Sequence, residues 1–539
     1  MKRLHPVVLL CVFLSLLLAT NALAQELRRG SSGSGEDNWH PPNPPVKRNH
    51  PVGRKPGFPT KNSSSSDSTA KTPIAKTSTA KTARPPVIPI TSENEDQVDS
   101  AIEKGNAALE AGRFENAEAF YKAAAELDPN DWRPYMGLGN LYWDYGRRFD
   151  SRKGYDEKVS LLSIRYEDAV TAYQKAAALK PDEPAIFVAL SFIFNSISNS
   201  EAEAIKAANQ ALRLQPNFPE AHFNLGQAYL NTERYNEAMV DFKEAIRLKA
   251  QYGKAYHLLG VTYLQLKRLD EAIATYKLGI RTVPGYIETY YALSSAYSDL
   301  KRIDESLEVM RQLARSRPTD HEPLQEIGKQ LLALRRYDEA IAPLKEAVRL
   351  NYHPKVDKYP HTYLAEAYIN LNRYDEAIAV LKDIIRIGPT LSPSQDWDRL
   401  AFAYNQSERY AEAVEAAQQS IRLHDDVPSP FNSLAYALNQ LGRYEEGITA
   451  AKRALALSPK FGNPHSHIAF AYLKTGRLNE ALTEVKQAVE LAPRYSRAHY
   501  TLGLVYLALK NKALAVEAQK TLQGLDPKLA QKLLEEINR

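Results

Sequence analysis

The chain is almost free of cysteine. Its 539 residues include one, Cys11, which lies inside an apolar run near the beginning of the sequence. If that run is removed, the remaining chain has no thiol, which excludes disulfides, thiolate metal sites and cysteine nucleophiles. The fold must then be held together by its apolar core alone.

Sequence motifs of catalysis are missing too. The chain has no phosphate-binding Walker loop, no G-x-S-x-G nucleophile turn and no dinucleotide-binding fingerprint. His465 and His467 are two residues apart, so on a helix they point in different directions. His321 and Glu322 lack the second histidine of a zinc-protease helix. We therefore expect no catalytic residues, no metal and no cofactor, and hence no enzymatic activity.

The chain also lacks an apolar run long enough to cross a membrane. Val7–Ala19 is 13 residues long, whereas a spanning helix needs about 20. Lys2 and Arg3 precede this run and Ala22-Leu-Ala24 follows it, which is the pattern of a secretory signal peptide. We predict a cleaved signal peptide over residues 1–24 and a secreted or periplasmic protein with no transmembrane segment after cleavage. An uncleaved signal anchor that tethers the protein to the membrane is the alternative.

Tyrosine is absent from residues 25–95, although the whole chain has 31 tyrosines. This segment is rich in Pro, Ser, Thr and Lys and cannot bury enough apolar surface to fold, so we predict a disordered linker. Against a total net charge of +5, the linker contributes +5 and the first 24 residues +2, which leaves −2 from Asp96 onward. The rest of the chain thus has no basic footprint for nucleic acid. Binding of the basic linker to cell-wall polymer stays open.

What the sequence has in abundance is a repeat. Leu225, Gly226 and Tyr229 are followed 34 residues later by Leu259, Gly260 and Tyr263. A fixed period in this range is the signature of a solenoid of stacked units. Within each unit, an apolar pattern at i, i+3, i+4 and i+7 occurs twice and predicts two helices.

Small residues, aromatic residues and prolines recur at fixed places in these units. Small residues that let paired helices approach closely are Gly139, Gly226, Gly260, Gly328 and Gly503 in the first helix and Ala117, Ala169, Ala238, Ala272, Ala340, Ala377, Ala413, Ala481 and Ala515 in the second. Aromatic residues that fill the space between units are Tyr142, Tyr229, Tyr263, Tyr297, Tyr368, Tyr404, Tyr472 and Tyr506. Prolines that stop the second helix are Pro129, Pro181, Pro216, Pro284, Pro318, Pro389, Pro459, Pro493 and Pro527.

This combination resembles the tetratricopeptide repeat (TPR) family. The resemblance implies an all-α fold, a right-handed α-solenoid superhelix of about twelve TPR helix pairs over residues 96–527. Residues 528–539, with apolar residues at helical spacing and charges opposite, are predicted to form a C-terminal capping helix. The resemblance also implies an inner groove, lined mainly by the first helices, that binds peptides or partner proteins.

Departures from the family pattern are local. Residues 147–165 form an insert rich in Arg and Lys, for which we expect a lengthened helical hairpin, with a functional insert as the alternative. Ser191 and Ala208 replace a glycine and an aromatic residue in a degenerate unit. Small insertions near Val356 and Leu391 are expected to perturb the superhelix.

The carboxylate clamp that some members of the family use to hold chaperone C-termini is incomplete. Asn106 matches its first asparagine, but Ile102 and Gly137 stand where a lysine and a second asparagine would be. We therefore expect no such clamp in this chain.

The resemblance places aromatic side chains, with polar ones between them, at inward-facing positions of the first helices. The predicted partner-binding residues are Phe223, Gln227, His257, Tyr291, Gln325, Phe402, Asn432, Tyr436, Phe470 and Tyr500. Tyrosine and phenylalanine offer large contact areas at a low cost in side-chain entropy. The alternative for each is a place in the core between repeats.

These observations predict a non-enzymatic, exported TPR scaffold or adaptor that binds protein or peptide ligands along its groove. Two alternatives stay open. One is a cell-wall or carbohydrate-handling module, in which the aromatic side chains stack on sugars. The other is an accessory subunit of an envelope enzyme complex.

Overall fold

The computed structural model describes residues 92–149, 155–197, 199–351, 359–388 and 393–539. All regular structure within these ranges is helical, and 25 helices follow one another. They are α1 (Ser92–Glu110), α2 (Phe114–Leu127), α3 (Arg133–Phe149), α4 (Tyr155–Leu179), α5 (Pro184–Asn195), α6 (Glu201–Leu214), α7 (Pro219–Asn231), α8 (Tyr235–Leu248), α9 (Gly253–Gln265), α10 (Leu269–Thr282), α11 (Glu288–Asp299), α12 (Ile303–Ser316), α13 (Glu322–Ala333), α14 (Tyr337–Leu350), α15 (Tyr359–Asn370), α16 (Tyr374–Ile387), α17 (Pro393–Gln406), α18 (Tyr410–Leu423), α19 (Pro428–Gln440), α20 (Tyr444–Leu457), α21 (Gly462–Lys474), α22 (Leu478–Leu491), α23 (Ser496–Ala508), α24 (Lys512–Gln523) and α25 (Pro527–Asn538). The predicted signal peptide and nearly all of the predicted linker lie outside the described residues.

The helices form twelve pairs, from α1–α2 to α23–α24, followed by α25. We call the first member of each pair its A helix and the second its B helix. The chain divides into two compact units, one ending at Ala296 and one beginning at Tyr297, and α11 runs across this division. In both units, paired helices pack on each other and B helices pack on the A helix of the following pair. The predicted all-α solenoid is confirmed.

The glycines predicted in the A helices lie where a side chain of the paired B helix, or for Gly503 of α25, comes very close. A Cβ atom on Gly260 would lie 2.1 Å from Cε1 of Tyr276, whose side chain is fully buried. The nine alanines predicted in the B helices are also fully buried. The expectation that small residues let paired helices approach closely is therefore confirmed.

A compact turn joins A helices to B helices. In the pair α9–α10, Lys267 adopts a left-handed backbone conformation with φ of 59°, and the N–H of Arg268 donates to the carbonyl oxygen of Tyr263 at 2.8 Å. This six-to-one hydrogen bond is the Schellman arrangement that ends helices. The guanidinium of Arg268 then stacks on the Tyr263 ring, 4.9 Å from its centroid, and pairs with Glu271 at 2.8 Å.

The same turn recurs along the chain. Arginines that stack on the tyrosine five positions earlier and pair with the glutamate three positions later are Arg234, Arg268, Arg302, Arg373, Arg409 and Arg477. From sequence, such charges are interpreted as a solvent-facing surface of ion pairs. In the structure they also cover the aromatic rings that separate neighbouring repeats.

The closing prolines stand just beyond the B helices, as predicted. For example, α6 ends at Leu214 before Pro216, and α22 ends at Leu491 before Pro493. Pro389 lies outside the described residues. Pro527 differs, because it is the first residue of α25 rather than the residue that ends α24.

The C-terminal capping helix is α25. The side chain of Asp526 accepts two backbone N–H groups of its first turn, both at 3.1 Å. Leu533 and Ile537 are buried against α23 and α24, whereas Lys532 is exposed. The helix thus covers the apolar end of the last pair and presents a charged surface to water, as expected for a cap.

Boundaries differ from prediction in two places. Helix α1 begins at Ser92, inside the predicted linker, since the acidic residues Glu95 and Asp96 favour the positive end of the helix dipole. The predicted insert over 147–165 is largely taken up by long helices, because α3 ends at Phe149 and α4, with 25 residues, begins at Tyr155. The small insertions predicted near Val356 and Leu391 lie in or beside stretches outside the described residues.

Candidate partner-binding site

The ten predicted partner-binding residues all lie on A helices. Seven of them occupy two registers, each with a period of 34 residues. One register holds Phe223, His257, Tyr291 and Gln325, and the other holds Phe402, Tyr436 and Phe470. Neighbouring A helices contact each other in both units. We call the surface that they form the A face and describe it separately in each unit.

In the first unit, Phe223 is a core residue. Only 6% of its surface is exposed, and its ring centroid lies 4.9 Å from that of Tyr252 and 5.8 Å from that of Phe242. Gln227, one turn later on α7, is half-buried, as is Tyr291 on α11. Of the predicted residues in this unit, Phe223 offers the least surface to a partner.

His257 on α9 combines partial exposure with a buried, unsatisfied atom. Its ring lies 6.2 Å from Tyr276 and 6.1 Å from Tyr286. Its Nδ1 is buried and has no hydrogen-bond partner among the described residues. Burial lowers the pKa of this imidazole to about 4, so the side chain is neutral at physiological pH.

In the second unit, two predicted polar residues carry similar unsatisfied atoms. Gln325 Oε1 and Asn432 Oδ1 are buried and find no partner in the described part of the chain. Phe402 on α17 is the most exposed predicted residue, with 41% of its surface accessible. Phe470 on α21 is half-buried, with Lys474 Nζ 5.4 Å from its ring centroid.

Tyr500 has a different environment. It is half-buried and packs against the cluster that contains Leu533 and Ile537 of the capping helix. A ring that packs on the cap has less surface for a ligand. Sealing the last pair is therefore the alternative to partner binding at Tyr500.

The sequence interpretation missed Arg497, which bridges three A helices of the second unit. Arg497 lies at the beginning of α23, and its Nη1 donates to the hydroxyl of Tyr436 on α19. Its Nη2 donates to Gln406 Oε1 at the end of α17, at 3.3 Å. The guanidinium carbon also lies 4.2 Å from the centroid of the Tyr436 ring. The spacing of residues in the sequence does not predict this contact, because Gln406 and Arg497 are 91 residues apart.

Aromatic rings and a neutral histidine surround Tyr436. Its ring centroid lies 6.1 Å from that of Tyr410 and 5.5 Å from that of His467, and His467 lies edge-on to Tyr495 at 6.3 Å. Burial, with a smaller effect of Arg497, lowers the pKa of His467 to about 3. Burial raises the pKa of Tyr495 to about 12. Arg497 is therefore the cation of this aromatic cluster at physiological pH.

A half-buried carboxylate, Asp398, lies on α17 one turn before Phe402. The Ser433 hydroxyl donates to its Oδ1 at 3.2 Å. Burial raises the pKa of Asp398, while hydrogen bonds from Ser429 and Ser433 oppose this rise. The serines of the next A helix thus satisfy this acid.

The residues considered for metal binding and for the clamp have partners of their own. His465 Nδ1 lies 2.6 Å from Glu484 Oε2, whereas His467 contacts Tyr436, so the two imidazoles diverge as expected. No group of three or more potential metal ligands occurs among the described residues. Asn106 accepts a hydrogen bond from the Tyr121 hydroxyl at 2.8 Å, which gives it a place between paired helices.

Comparison with protein-family models decides what these helix pairs are. Tetratricopeptide repeat models match residues 98–131, 287–320, 331–394, 400–460, 438–502 and 496–529. The chain belongs to the tetratricopeptide repeat family. A further model, described as anaphase-promoting complex, cyclosome, subunit 3, matches residues 198–277 of the TPR array.

Individual stretches of TPR repeats are shared with curated proteins. A peroxisomal targeting signal receptor of Candida albicans is 34% identical over 119 residues, which are 21% of this chain and 17% of the relative. Small glutamine-rich tetratricopeptide repeat-containing protein 2 of Mycosarcoma maydis is 36% identical over 74 residues, which are 14% of this chain and 21% of the relative. This TPR chain thus spans about a fifth of the length of the curated relatives that it matches.

Among solved structures, the APC/C hetero-tetramer Cut9–Hcn1 is 15% identical to this TPR chain, with a TM-score of 0.39. The alignment covers 82% of this chain and 96% of that chain. Within the described residues, none of the TPR helices combines the length and the apolar character that a membrane-spanning helix requires.

Proposed function

We propose that this chain is an exported, non-enzymatic TPR scaffold that binds partner proteins or peptides on its A face. One observation carries the proposal: His257 Nδ1, Gln325 Oε1 and Asn432 Oδ1 are buried on A helices without a partner among the described residues. Each unsatisfied buried polar atom costs about 1–3 kcal/mol. A peptide bound to the A face of either unit, whose backbone carries both donors and acceptors, would satisfy the unpartnered atoms of that unit.

Exposed aromatic surface on an A helix of the second unit supports the same proposal. Phe402 lies on α17 with 41% of its surface accessible, and its ring stands edge-on to Tyr374 at 6.4 Å. A ring of this kind gains free energy when a partner's apolar side chain removes it from water. Polar atoms fix the position of a peptide, and such rings supply contact area.

Export is the part of the proposal that rests on residues 1–24. Lys2 and Arg3, the apolar run Val7–Ala19 and the small residues before Gln25 have the order of a cleavable signal peptide. The basic linker over 25–95 would then connect the processed end of the chain to the TPR array.

A second candidate is a cell-wall or carbohydrate-handling module that binds wall polymer. The observation that favours it is the linker's net charge of +5, set against −2 for the rest of the chain from Asp96 onward. A basic segment attracts anionic polymers by electrostatics, and A-face aromatic rings offer stacking surfaces for sugars.

The test uses two double variants of the full chain. Phe402→Ser with Phe470→Ser removes aromatic surface from A helices α17 and α21. The matched control, Leu423→Ser with Leu491→Ser, removes side chains that are 48% and 41% exposed on B helices α18 and α22. Each protein is immobilised, exposed to envelope extract of the producing cells and, separately, to purified wall polymer.

The scaffold proposal expects specific proteins to be retained by the wild type and the control, and lost by the A-face variant while its melting temperature is maintained. Retention of wall polymer without specific proteins would favour the second candidate. Equal protein capture by both double variants would contradict binding at this part of the A face.

A further inference from the structure

Arg497 is a cation on the A face of the second unit whose charge no carboxylate of the described chain neutralises. Its acceptors are both neutral, the Tyr436 hydroxyl and Gln406 Oε1. No described carboxylate lies within 4.0 Å of it, whereas neighbouring turn arginines such as Arg409 and Arg477 each pair with a glutamate. A guanidinium that is partly removed from water gains most from a carboxylate partner.

The geometry holds this guanidinium in place and leaves part of it available. Arginine has five N–H donors in a planar fork, and the two hydrogen bonds occupy two of them. The Tyr436 ring supports one face of the fork at 4.2 Å. Arg497 is half-buried, so a ligand can reach the remaining donors. A fixed side chain loses little entropy when it binds.

A second, independent observation on the same surface points to a peptide rather than to a simple anion. Asn432 lies one turn before Tyr436 on α19, and its buried Oδ1 has no donor among the described residues. A phosphate or sulfate offers acceptors only, whereas a peptide offers a carboxylate for Arg497 and a backbone N–H for Asn432. The net charge of −2 from Asp96 onward also disfavours a long polyanion such as nucleic acid.

We propose that Arg497, Tyr436 and Asn432 form a binding site for an acidic peptide segment, with a ligand carboxylate on the guanidinium and the adjoining backbone on the α19 amide. This inference rests on the proposed scaffold function and specifies the chemistry of one of its ligands. The carboxylate belongs either to an Asp or Glu side chain or to a chain terminus. Asp398 lies about two turns before Gln406 on α17 and is held by Ser433, so it does not compete for Arg497.

The experiment uses two random dodecapeptide libraries displayed on phage and selected against the immobilised full chain. In one library the peptide's C-terminus is fused, so only side-chain carboxylates are available, and in the other the C-terminus is free. Dissociation constants of synthetic copies of the selected peptides are then measured for the wild type, Arg497→Gln, Arg497→Lys and Arg494→Gln. Arg494 is an exposed arginine three residues earlier and provides the matched control.

We expect enrichment of Asp and Glu in the first library if the ligand uses a side-chain carboxylate, or binders from the second library alone if it uses a chain terminus. The stronger arm identifies the source of the carboxylate. Arg497→Gln should weaken binding by about tenfold or more, Arg497→Lys by less, and Arg494→Gln hardly at all. Binding should also weaken as ionic strength rises. If Arg497→Gln unfolds, replacing the ligand's Glu by Gln tests the same contact on the wild-type protein.

Binders from the first library that lack acidic enrichment, or peptides from either library whose affinity is the same for Arg497→Gln and the wild type, would overturn the acidic-peptide site and leave the scaffold proposal standing. If neither library yields a binder while envelope proteins are still captured through Phe402 and Phe470, the acidic-peptide site fails alone. If the libraries yield no binder and the wild type captures no specific protein from envelope extract, both proposals are overturned.

Discussion

A single side chain decides how closely a pair of TPR helices can approach. Gly260 on α9 faces the ring of Tyr276 on α10 at a distance that leaves no room for a Cβ atom. The ring is fully buried, so it has little freedom to move aside. The same relation links Gly226 to Phe242 in the preceding pair.

Gly260→Ala should therefore destabilise the protein. Alanine gains up to about 1 kcal/mol from helix propensity, but the clash with Tyr276 costs about 1–3 kcal/mol, so we expect a lower melting temperature. The control is Gly285→Ala, at a position where nothing lies within 4 Å of a new Cβ atom. A Gly260→Ala protein as stable as the control would contradict this account of helix packing.

His467 should make the stability of the second unit depend on pH. Burial lowers its pKa from 6.5 to about 3, so between these values the unfolded chain binds a proton that the folded chain does not. Stability then falls as pH falls, by about 2 kcal/mol between pH 7 and pH 5. Tyr436, Tyr495 and Arg497 are the ionisable groups that face this ring.

The test is urea unfolding, followed by circular dichroism at pH 7 and pH 5, of the wild type and of His467→Leu. The variant should lose less stability on acidification than the wild type, whatever its stability at pH 7. An identical loss in both proteins would show that this imidazole is not the group that titrates.

At the residue scale, the sequence predicted how small residues pack, whereas the partner-binding residues stay predictions. Gly226 and Gly260 could be predicted as close-approach sites, because small residues that recur at a fixed period on a helix allow another helix to pack closely there. Phe223 is predicted to contact a partner, with a place in the core as the alternative, and its ring lies against Tyr252 and Phe242. Arg497 gave no signal, because its contacts are made across three A helices and no local spacing encodes them.

At the scale of helices and turns, the left-handed residue between A and B helices sets where each pair folds back. Gly442 occupies this position with φ of 78°, whereas Lys301 does so with φ of 58°. Only glycine adopts this conformation without strain. Adding a side chain at Gly442 and removing the one at Lys301 should therefore change stability in opposite directions.

Gly442→Ala should lower stability by about 1 kcal/mol, and Lys301→Gly should raise it by up to about 1 kcal/mol, because the exposed Lys301 side chain adds strain at this turn. Thermal unfolding of both variants provides the measurement. Shifts of the same sign in both proteins would mean that backbone strain does not control this turn.

The ends of helices could be predicted from sequence where a single residue, such as proline, determines them. Prolines such as Pro216 and Pro493 marked the ends of B helices because they cannot continue a hydrogen-bonded helix. The sequence did not predict that α1 starts at Ser92, nor how long α3 and α4 are. Charge and packing extend these helices beyond the repeat pattern. The turn arginines, including Arg268, were recognised as charged but not as partners of the preceding tyrosine.

For the whole molecule, the period of 34 residues predicted a solenoid, and the resemblance to the TPR family implied about twelve helix pairs with a cap, as the structure has them. Ligand identity follows from the surface and not from the fold. Sequence therefore placed candidate residues on A helices without assigning a ligand to them.

Export is a prediction about the whole chain. If residues 1–24 are a signal peptide, N-terminal sequencing of the protein isolated from producing cells should begin at Gln25. A first residue of Met1 would favour the uncleaved anchor, and fractionation with the membrane would then support tethering.

The central claim is that partners bind on A helices, and position-specific photocrosslinking tests it most directly. A photoreactive phenylalanine analogue replaces Phe402 on α17 or, as the matched control, Leu423 on its paired B helix α18. The two sites are 41% and 48% exposed, so chance contacts should label both equally. We predict that irradiation of producing cells yields discrete crosslinked proteins from position 402 and none of them from position 423. The same crosslinked proteins from both positions, or from position 423 alone, would contradict the account.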